Sequence, residues 1–405
     1  MNSMTTTKAL TGVRVLDLTN VLAGPLCAYQ LALMGAEVIK VEVPNGGDLA
    51  RQLGNDRALN AKLMGASFLA QNAGKKSMTA NLKSPQGKEL LKRLVASADV
   101  LVENFRPGVM DRLGLGYEEL RRHNPKLVYC AITGFGQEGP MRDAPAYDQI
   151  IQGLSGMMSV TGDAHSAPLR AGYPVADTVS GMVGAFAVCA ALLRRNATGE
   201  GAFIDVSMLD SALVAMGWVV SNYLIAGTEP QPHGNDNFTA APSGTFRTGS
   251  GPLNIAANKQ DQFETLARLI GRPELAQDPR FTERESRKQH RGALTQEIEA
   301  ALALRPAREW EQLLTRAGVP AGSVLGMPEV LQSEQLTQRE FVQTFSDVPG
   351  ADREVRVGRT GFKLSGSDPR AETPPPVLGA HTEEILADLG YTASQIAEMR
   401  ETGAI

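Results

Sequence analysis

Three cysteines and five histidines in 405 residues leave little material for a metal centre or a disulfide framework, and none of them falls at metal-ligand spacing. No metal site is expected. Cys27, Cys130 and Cys189 sit inside apolar runs, as buried reduced thiols would. Positive charge is also in short supply. Forty Lys and Arg against 44 Asp and Glu give a net charge of −4, which argues against a general binder of nucleic acid or of an anionic membrane. A local basic pocket for an anionic small molecule stays open. The turn after the first strand, TNVLAGP, is not G-x-G-x-x-G, and no Walker A sequence occurs, so the usual dinucleotide and nucleoside-triphosphate signatures are missing there. No run approaches the ~20 apolar residues of a membrane span. The longest candidates, 181–193 and 204–226, read as buried helices. The opening MNSMTTTKAL lacks an apolar h-region, so no secretory signal is expected and the protein is placed in the cytoplasm.

What is present is ordinary globular material, 42% hydrophobic and 21% charged, enough for a sizeable core over one large or two smaller domains. The first two hundred residues alternate strand-like and helix-like runs. VRVLDLT (13–19), EVIKVE (37–42), DVLVENF (99–105), KLVYCAITG (126–134) and AFIDVS (202–207) read as strands. Between them, PLCAYQLALMGA and KSPQGKELLKRLVASA (83–98) carry helical periodicity, the latter with Ser84 and Pro85 as cap and first turn. Such alternation predicts right-handed βαβ crossovers and an α/β fold with a mainly parallel sheet. A long helix follows residue 176, and 207–226 reads as a second apolar one. Residues 228–252 are rich in Gly, Pro, Ser, Thr and Asn and read as linker and loop. Beyond them, 253–325 holds a short strand and polar helices, as a smaller second domain would.

Three segments carry candidate chemistry. The turn TNVLAGP follows the first strand, where open parallel sheets bind ligands. Asn104, Phe105 and Arg106 end another strand, with Pro107-Gly108 leading to Arg112. That places an amide, an aromatic ring and two guanidinium groups together, suited to an adenine and to phosphates, though on its own most simply a solvated basic loop. Lys75, Lys76 and Lys83 flank a further strand and read most simply as surface charge. In YPVADTVSGMVGAF, Asp177 stands alone at a helix start, with no His, Cys or second acid within five positions. It is either a helix N-cap or, in a dry pocket among small neighbours, a nucleophile toward an activated acyl group. An aspartate ionised at pH 7 would need no base.

Taken in register, LTGVRVLDLTNVLAGP, NAGKKSMTANLKSPQGKELL, ADVLVENFRPGVMDRLGLGYEEL, YCAITGFGQEGP, PAYDQIIQGLSG, YPVADTVSG, TGEGAFIDVSMLDSALV and PPPVLGAHTEEIL span nearly the whole chain. In them the sequence resembles family III CoA-transferases, the group containing formyl-CoA, carnitine and succinate–hydroxymethylglutarate CoA-transferases. The resemblance implies a Rossmann-like large domain, 1–225 with 335–405, a small α+β domain over 226–334, and two chains interlocked as a homodimer. It implies Asp177 as nucleophile. It also implies CoA contacts from Leu22 and Ala23, from Ala80, Asn81, Leu82 and Lys83, from Asn104, Phe105, Arg106 and Arg112, and from Tyr147 and Asp148. Two departures stand out. Val43 replaces an Arg of formyl-CoA transferase, and PHGNDNFTAAPSG lacks that enzyme's Gly run over the active Asp.

The resemblance thus implies an enzyme with acyl-CoA and a carboxylic acid as substrates, with no prosthetic group, nucleic acid or membrane partner. Succinyl-CoA is the expected donor, and itaconate, glutarate, hydroxymethylglutarate and 3-sulfinopropionate are candidate acceptors. Arg170, His233 and Asn235 are candidates to meet a distal carboxylate. An α-methylacyl-CoA racemase shares the fold, but its His falls at Tyr147, and tyrosine, with an unperturbed pKa near ~10, is a poor base. A non-catalytic acyl-CoA-binding protein is the third reading.

Overall fold

The computed structural model describes residues 7–405. The opening segment read for a secretory signal therefore falls largely outside the described residues. The chain divides into two compact units: one runs to Met157 and adds Ala171–Gly227 and Glu334–Ile405, and the other joins Met158–Arg170 to Thr228–Ser333.

The first unit is built on six strands: β1 (Arg14–Asp17), β2 (Glu37–Glu42), β3 (Lys75–Thr79), β4 (Val100–Glu103), β5 (Val128–Thr133) and β6 (Ala202–Ser207). They are hydrogen-bonded in the order β3-β2-β1-β4-β5-β6, and every pairing is parallel. Val15, Leu16, Leu101, Val102, Val128 and Cys130 are wholly buried, as a sheet covered on both faces requires. Strand order reverses between β1 and β4, so a crevice opens there beyond the carboxyl ends of the strands.

Among the covering helices are α1 (Ala23–Leu33), α2 (Pro85–Ala96), α3 (Asp148–Leu154) and α4 (Val175–Thr198). The Ser84 hydroxyl caps α2 by accepting the Gly87 N–H, and Leu90, Leu91, Leu94 and Val95 bury its apolar stripe. At 24 residues α4 is long and apolar enough to cross a membrane by composition, yet in this fold its Ala176, Ser180, Gly181, Gly184, Ala185 and Val188 are buried in the layer over the sheet. Small residues let α1 approach: a Cβ on Gly181 would lie 2.5 Å from the Ala23 carbonyl oxygen. The C-terminal segment returns to the same unit. Ile385, Leu386, Ile396, Met399 and Ala404 join the core formed by Leu16, Leu90 and Tyr129, and the Asn81 N–H donates to the Ala404 carbonyl at 2.8 Å.

Three expectations are corrected. The apolar helix expected over 207–226 is two helices, α5 (Met208–Ala215) and α6 (Trp218–Ala226), set at 83°. Gly217 makes the break, with φ of 45° where other residues are strained. No residue of α6 is buried, so it is not the core helix its composition suggested. The linker expected over 228–252 contains a strand, β7 (Ser243–Arg247), which pairs antiparallel with β8 (Pro252–Ala256), and β8 with β9 (Ala321–Ser323). Long-range pairing and burial of Phe246 override the loop-forming composition. Lys75, read as surface charge, is buried with 1% exposure and ion-paired to Asp17 at 2.8 Å.

The second unit packs Phe246, Leu253, Ile255, Phe263, Leu266, Trp310 and Leu314 into its own core. Met158–Arg170, expected in the large domain, belongs here, and the Gly234 N–H donates to the Gly162 carbonyl at 2.6 Å.

Candidate active site

The crevice at the strand-order reversal holds a cavity of about 270 Å³. Asn20, Val21, Leu22 and Ala23 line it from the turn after β1, Asn104 to Pro107 from the end of β4, and Thr133 and Gly134 from the end of β5. Arg142, Ala146, Tyr147, Met208 and Asp177 complete the wall.

Asp177 reaches the cavity from the first turn of α4. It is not the N-cap, a position taken by Pro174 without a side-chain bond. The cap function comes from Asp148, which opens α3. Its Oδ1 accepts the Ala176 N–H at 2.9 Å and the Asp177 N–H at 3.4 Å. Gln152, one turn on, donates to Asp148 Oδ2 at 2.7 Å. The capping reading of Asp177 is thus overturned, and the amides at the start of α4 are occupied rather than open to a ligand. No hydrogen bond to the Asp177 carboxylate is formed among the described residues. Burial, and then the Asp148 carboxylate, push its pKa up to about 7. The expectation of a fully ionised aspartate at neutral pH is corrected accordingly.

The facing wall is pinned by polar side chains. Asn20 and Asn104 exchange hydrogen bonds: the Asn20 N–H donates to Asn104 Oδ1 at 2.9 Å, and Asn104 Nδ2 donates to the Asn20 carbonyl at 2.8 Å. Glu103, at the end of β4, accepts the Phe105 N–H at 2.7 Å, and burial raises its carboxyl to about 7. Behind the β1 turn lie Asp17, Lys40, Asp48 and Lys75, none more than 1% exposed. Burial draws the Lys75 ammonium down to about 8, against the attraction of Asp17.

Of the residues singled out from the sequence, the cavity brings together Leu22, Ala23, Asn104, Phe105, Arg106, Tyr147 and Asp177. Ala80, Asn81, Leu82, Lys83 and Asp148 are not in its wall; Ala80 and Asp148 are buried, and Asn81 is tied to Ala404. Arg112 flanks the Pro107-Gly108 turn: a Cβ on Gly108 would lie 3.1 Å from its Nη1 and 3.9 Å from Arg142 Nη2. Arg142 escaped sequence reading because it sits in a Gly- and Pro-rich loop without periodicity. Arg106, Arg112 and Arg142 form no ion pair among the described residues, unlike most arginines of the chain. The cavity therefore joins a carboxylate on one side to uncompensated guanidinium groups on another, an arrangement that receives an anionic ligand and presents it to an oxygen nucleophile.

Comparison with known proteins agrees with this chemistry. The profile of CoA-transferase family III matches residues 10–382. A succinyl-CoA:glutarate CoA-transferase of Mus musculus is 36% identical over 98% of this chain and 90% of its own length. A succinate–glutarate CoA-transferase of Agrobacterium fabrum is 38% identical over 94% of this chain and 95% of its own. A crystal structure of a CaiB/BaiF family protein from Brucella suis superposes with a TM-score of 0.83 at 35% identity, covering 95% of this chain and 100% of that one. With profile, relatives and fold in agreement over nearly the whole length, the chain belongs to CoA-transferase family III.

Proposed function

We propose that this CoA-transferase moves CoA from succinyl-CoA to a short-chain dicarboxylate, with glutarate the foremost acceptor, through covalent intermediates on Asp177. The observation carrying the reading is the Asp177 carboxylate itself: cavity-facing, without a hydrogen-bond donor among the described residues, and held where ionisation is unfavourable. A structural aspartate in such a place would cost stability for no return. The names of the mouse and Agrobacterium relatives support the choice of succinate and glutarate.

An Asp177 oxygen attacks the thioester carbonyl, the C–S bond breaks, and CoA leaves as thiolate, giving an acyl–aspartyl anhydride. The thiolate attacks the aspartyl carbonyl, forming an aspartyl–CoA thioester and releasing the donor acid. The acceptor carboxylate then attacks that thioester and the two steps run in reverse. Each step exchanges one activated acyl bond for another. Since Asp148 occupies the amides at the start of α4, developing oxyanions are assigned to the Leu22 and Ala23 N–H groups, which open α1 at the same cavity without a side-chain cap. CoA lies along Leu22, Ala23, Asn104, Phe105 and Tyr147. Arg106, Arg112 and Arg142 meet its phosphates, and Lys83, exposed beyond β3, supplies a further cation. Asp148 serves the nucleophile's helix rather than CoA.

We propose a homodimer as the working form. Phe186, Leu193, Val214, Trp218, Leu224 and Ile225 are each more than 70% exposed, an apolar surface of the kind that a second copy covers. The racemase and binding-protein readings find no such support: the wall offers Tyr147 where an acid–base His would stand, and pure binding leaves Asp177 unexplained.

The test is transfer of labelled CoA from succinyl-CoA to a panel of acids by the protein alone. Hydroxylamine trapping followed by mass spectrometry should mark the peptide holding Asp177. Near-wild-type transfer by Asp177→Ala would falsify the mechanism.

A further inference from the structure

We infer that Asp48 is a positioning residue for CoA transfer, acting through the backbone of Val21. This rests on the assignment of the cavity to acyl-CoA.

Val21 lies in the cavity wall with φ of 70°, a left-handed conformation that a β-branched side chain strongly disfavours. Something must hold it there. The Val21 N–H donates to Asp48 Oδ1 at 2.9 Å, and the same oxygen accepts the Ala50 N–H at 2.9 Å. Asp48 is itself fixed, its N–H donating to Glu42 Oε1 at 3.0 Å and its Oδ2 ion-paired to Lys40 at 3.0 Å. Lys40 also donates to the Thr19 carbonyl at 2.8 Å, so one buried ion pair grips both sides of the turn. The Val21 conformation thereby sets the course of the chain into Leu22 and Ala23, which line the same cavity as Asp177. Released, Val21 would relax to negative φ and rotate the Leu22 and Ala23 amides. Asp48 itself is not in the cavity wall and touches no reacting atom.

A glycine at position 21 adopts positive φ freely and needs no clamp, which gives the experiment a readout that a merely structural role would not move. Kinetics are measured for Asp48→Ala, Asp48→Asn and the double variant Val21→Gly/Asp48→Ala. Asp48→Ala is expected to lower kcat/KM for acyl-CoA at least tenfold. Asp48→Asn, whose amide oxygen still accepts the Val21 N–H, recovers most of that loss, and so does the double variant. A double variant no better than Asp48→Ala, or wild-type kinetics in Asp48→Ala, overturns the inference. Should Asp48→Ala not fold, Val21→Pro leaves the buried charges intact while removing both the N–H and the positive φ. A tenfold or greater loss there supports the inference, and wild-type kinetics overturn it. Asp177→Ala, run in parallel, keeps the two ideas apart: transfer retained there sinks the nucleophile, whereas the clamp stands or falls on recovery at position 21.

Discussion

Asp148 and Asp177 meet at one helix start: the Asp148 carboxylate lies 2.9 Å from the Ala176 nitrogen and 3.4 Å from that of Asp177. The group that caps the helix bearing Asp177 thereby opposes ionisation of Asp177.

The first consequence is a pH dependence. With the Asp177 carboxyl pushed up to about 7, kcat/KM should fall as pH drops through that value, reaching about half its plateau near pH 7. In Asp148→Asn one carboxylate is gone, and the inflection should move to lower pH. An unchanged inflection in Asp148→Asn would assign the titration to another group.

Stability should run the other way. A carboxyl whose folded pKa is raised contributes stability that is fully present below its unfolded value near 4 and lost as pH rises through about 7. Asp177→Asn should therefore gain on the wild type across that window, reaching on the order of 2–4 kcal/mol at pH 8, while losing transfer by about 10³-fold or more. Denaturant melts at pH 4.5 and pH 8 measure the difference; equal gains at both would argue against a charge origin.

Arg142 should matter for affinity rather than for chemistry. Losing a charged hydrogen-bond donor typically costs ~1.5–3 kcal/mol, so Arg142→Ala should raise the acyl-CoA KM by roughly 10- to 100-fold with kcat little changed. Desulfo-CoA titrations would show the same loss, and a variant with undiminished affinity would remove Arg142 from the phosphate site.

The apolar face of α6 gives a fourth test. Sedimentation of the wild type should show a dimer that persists on dilution, and Leu224→Glu with Ile225→Glu should yield aggregated or unfolded chain rather than a well-behaved monomer. A stable, folded, active monomer would dismiss the proposed assembly.

Much of this architecture is legible in the sequence because buried parallel strands write themselves as short apolar runs. The segments 37–42 and 202–207 coincide with β2 and β6. The cavity's approximate place followed from the strand ends at Asn104 and the β1 turn. What sequence could not show are pairings between distant positions. Asp148 reaches Ala176 and Asp48 reaches Val21 across stretches with no periodic signature, so the former read as a ligand contact and the latter went unnoticed. Lys75 looked like surface charge because its partner, Asp17, lies two strands away. The helix break at Gly217 failed for the opposite reason, since uniform hydrophobicity on both sides hid a purely conformational event.

The buried set of Asp17, Lys40, Asp48 and Lys75 also constrains how this lineage can change. Two cations balance two anions where none is more than 1% exposed, and removing one partner of such a set typically destabilises by ~3–5 kcal/mol. A single substitution there weakens the fold, whereas concerted replacement is tolerated. Among relatives the four positions should therefore co-vary as a block, kept together or exchanged together, and the shape of the β1 turn should track which version of the block a sequence carries.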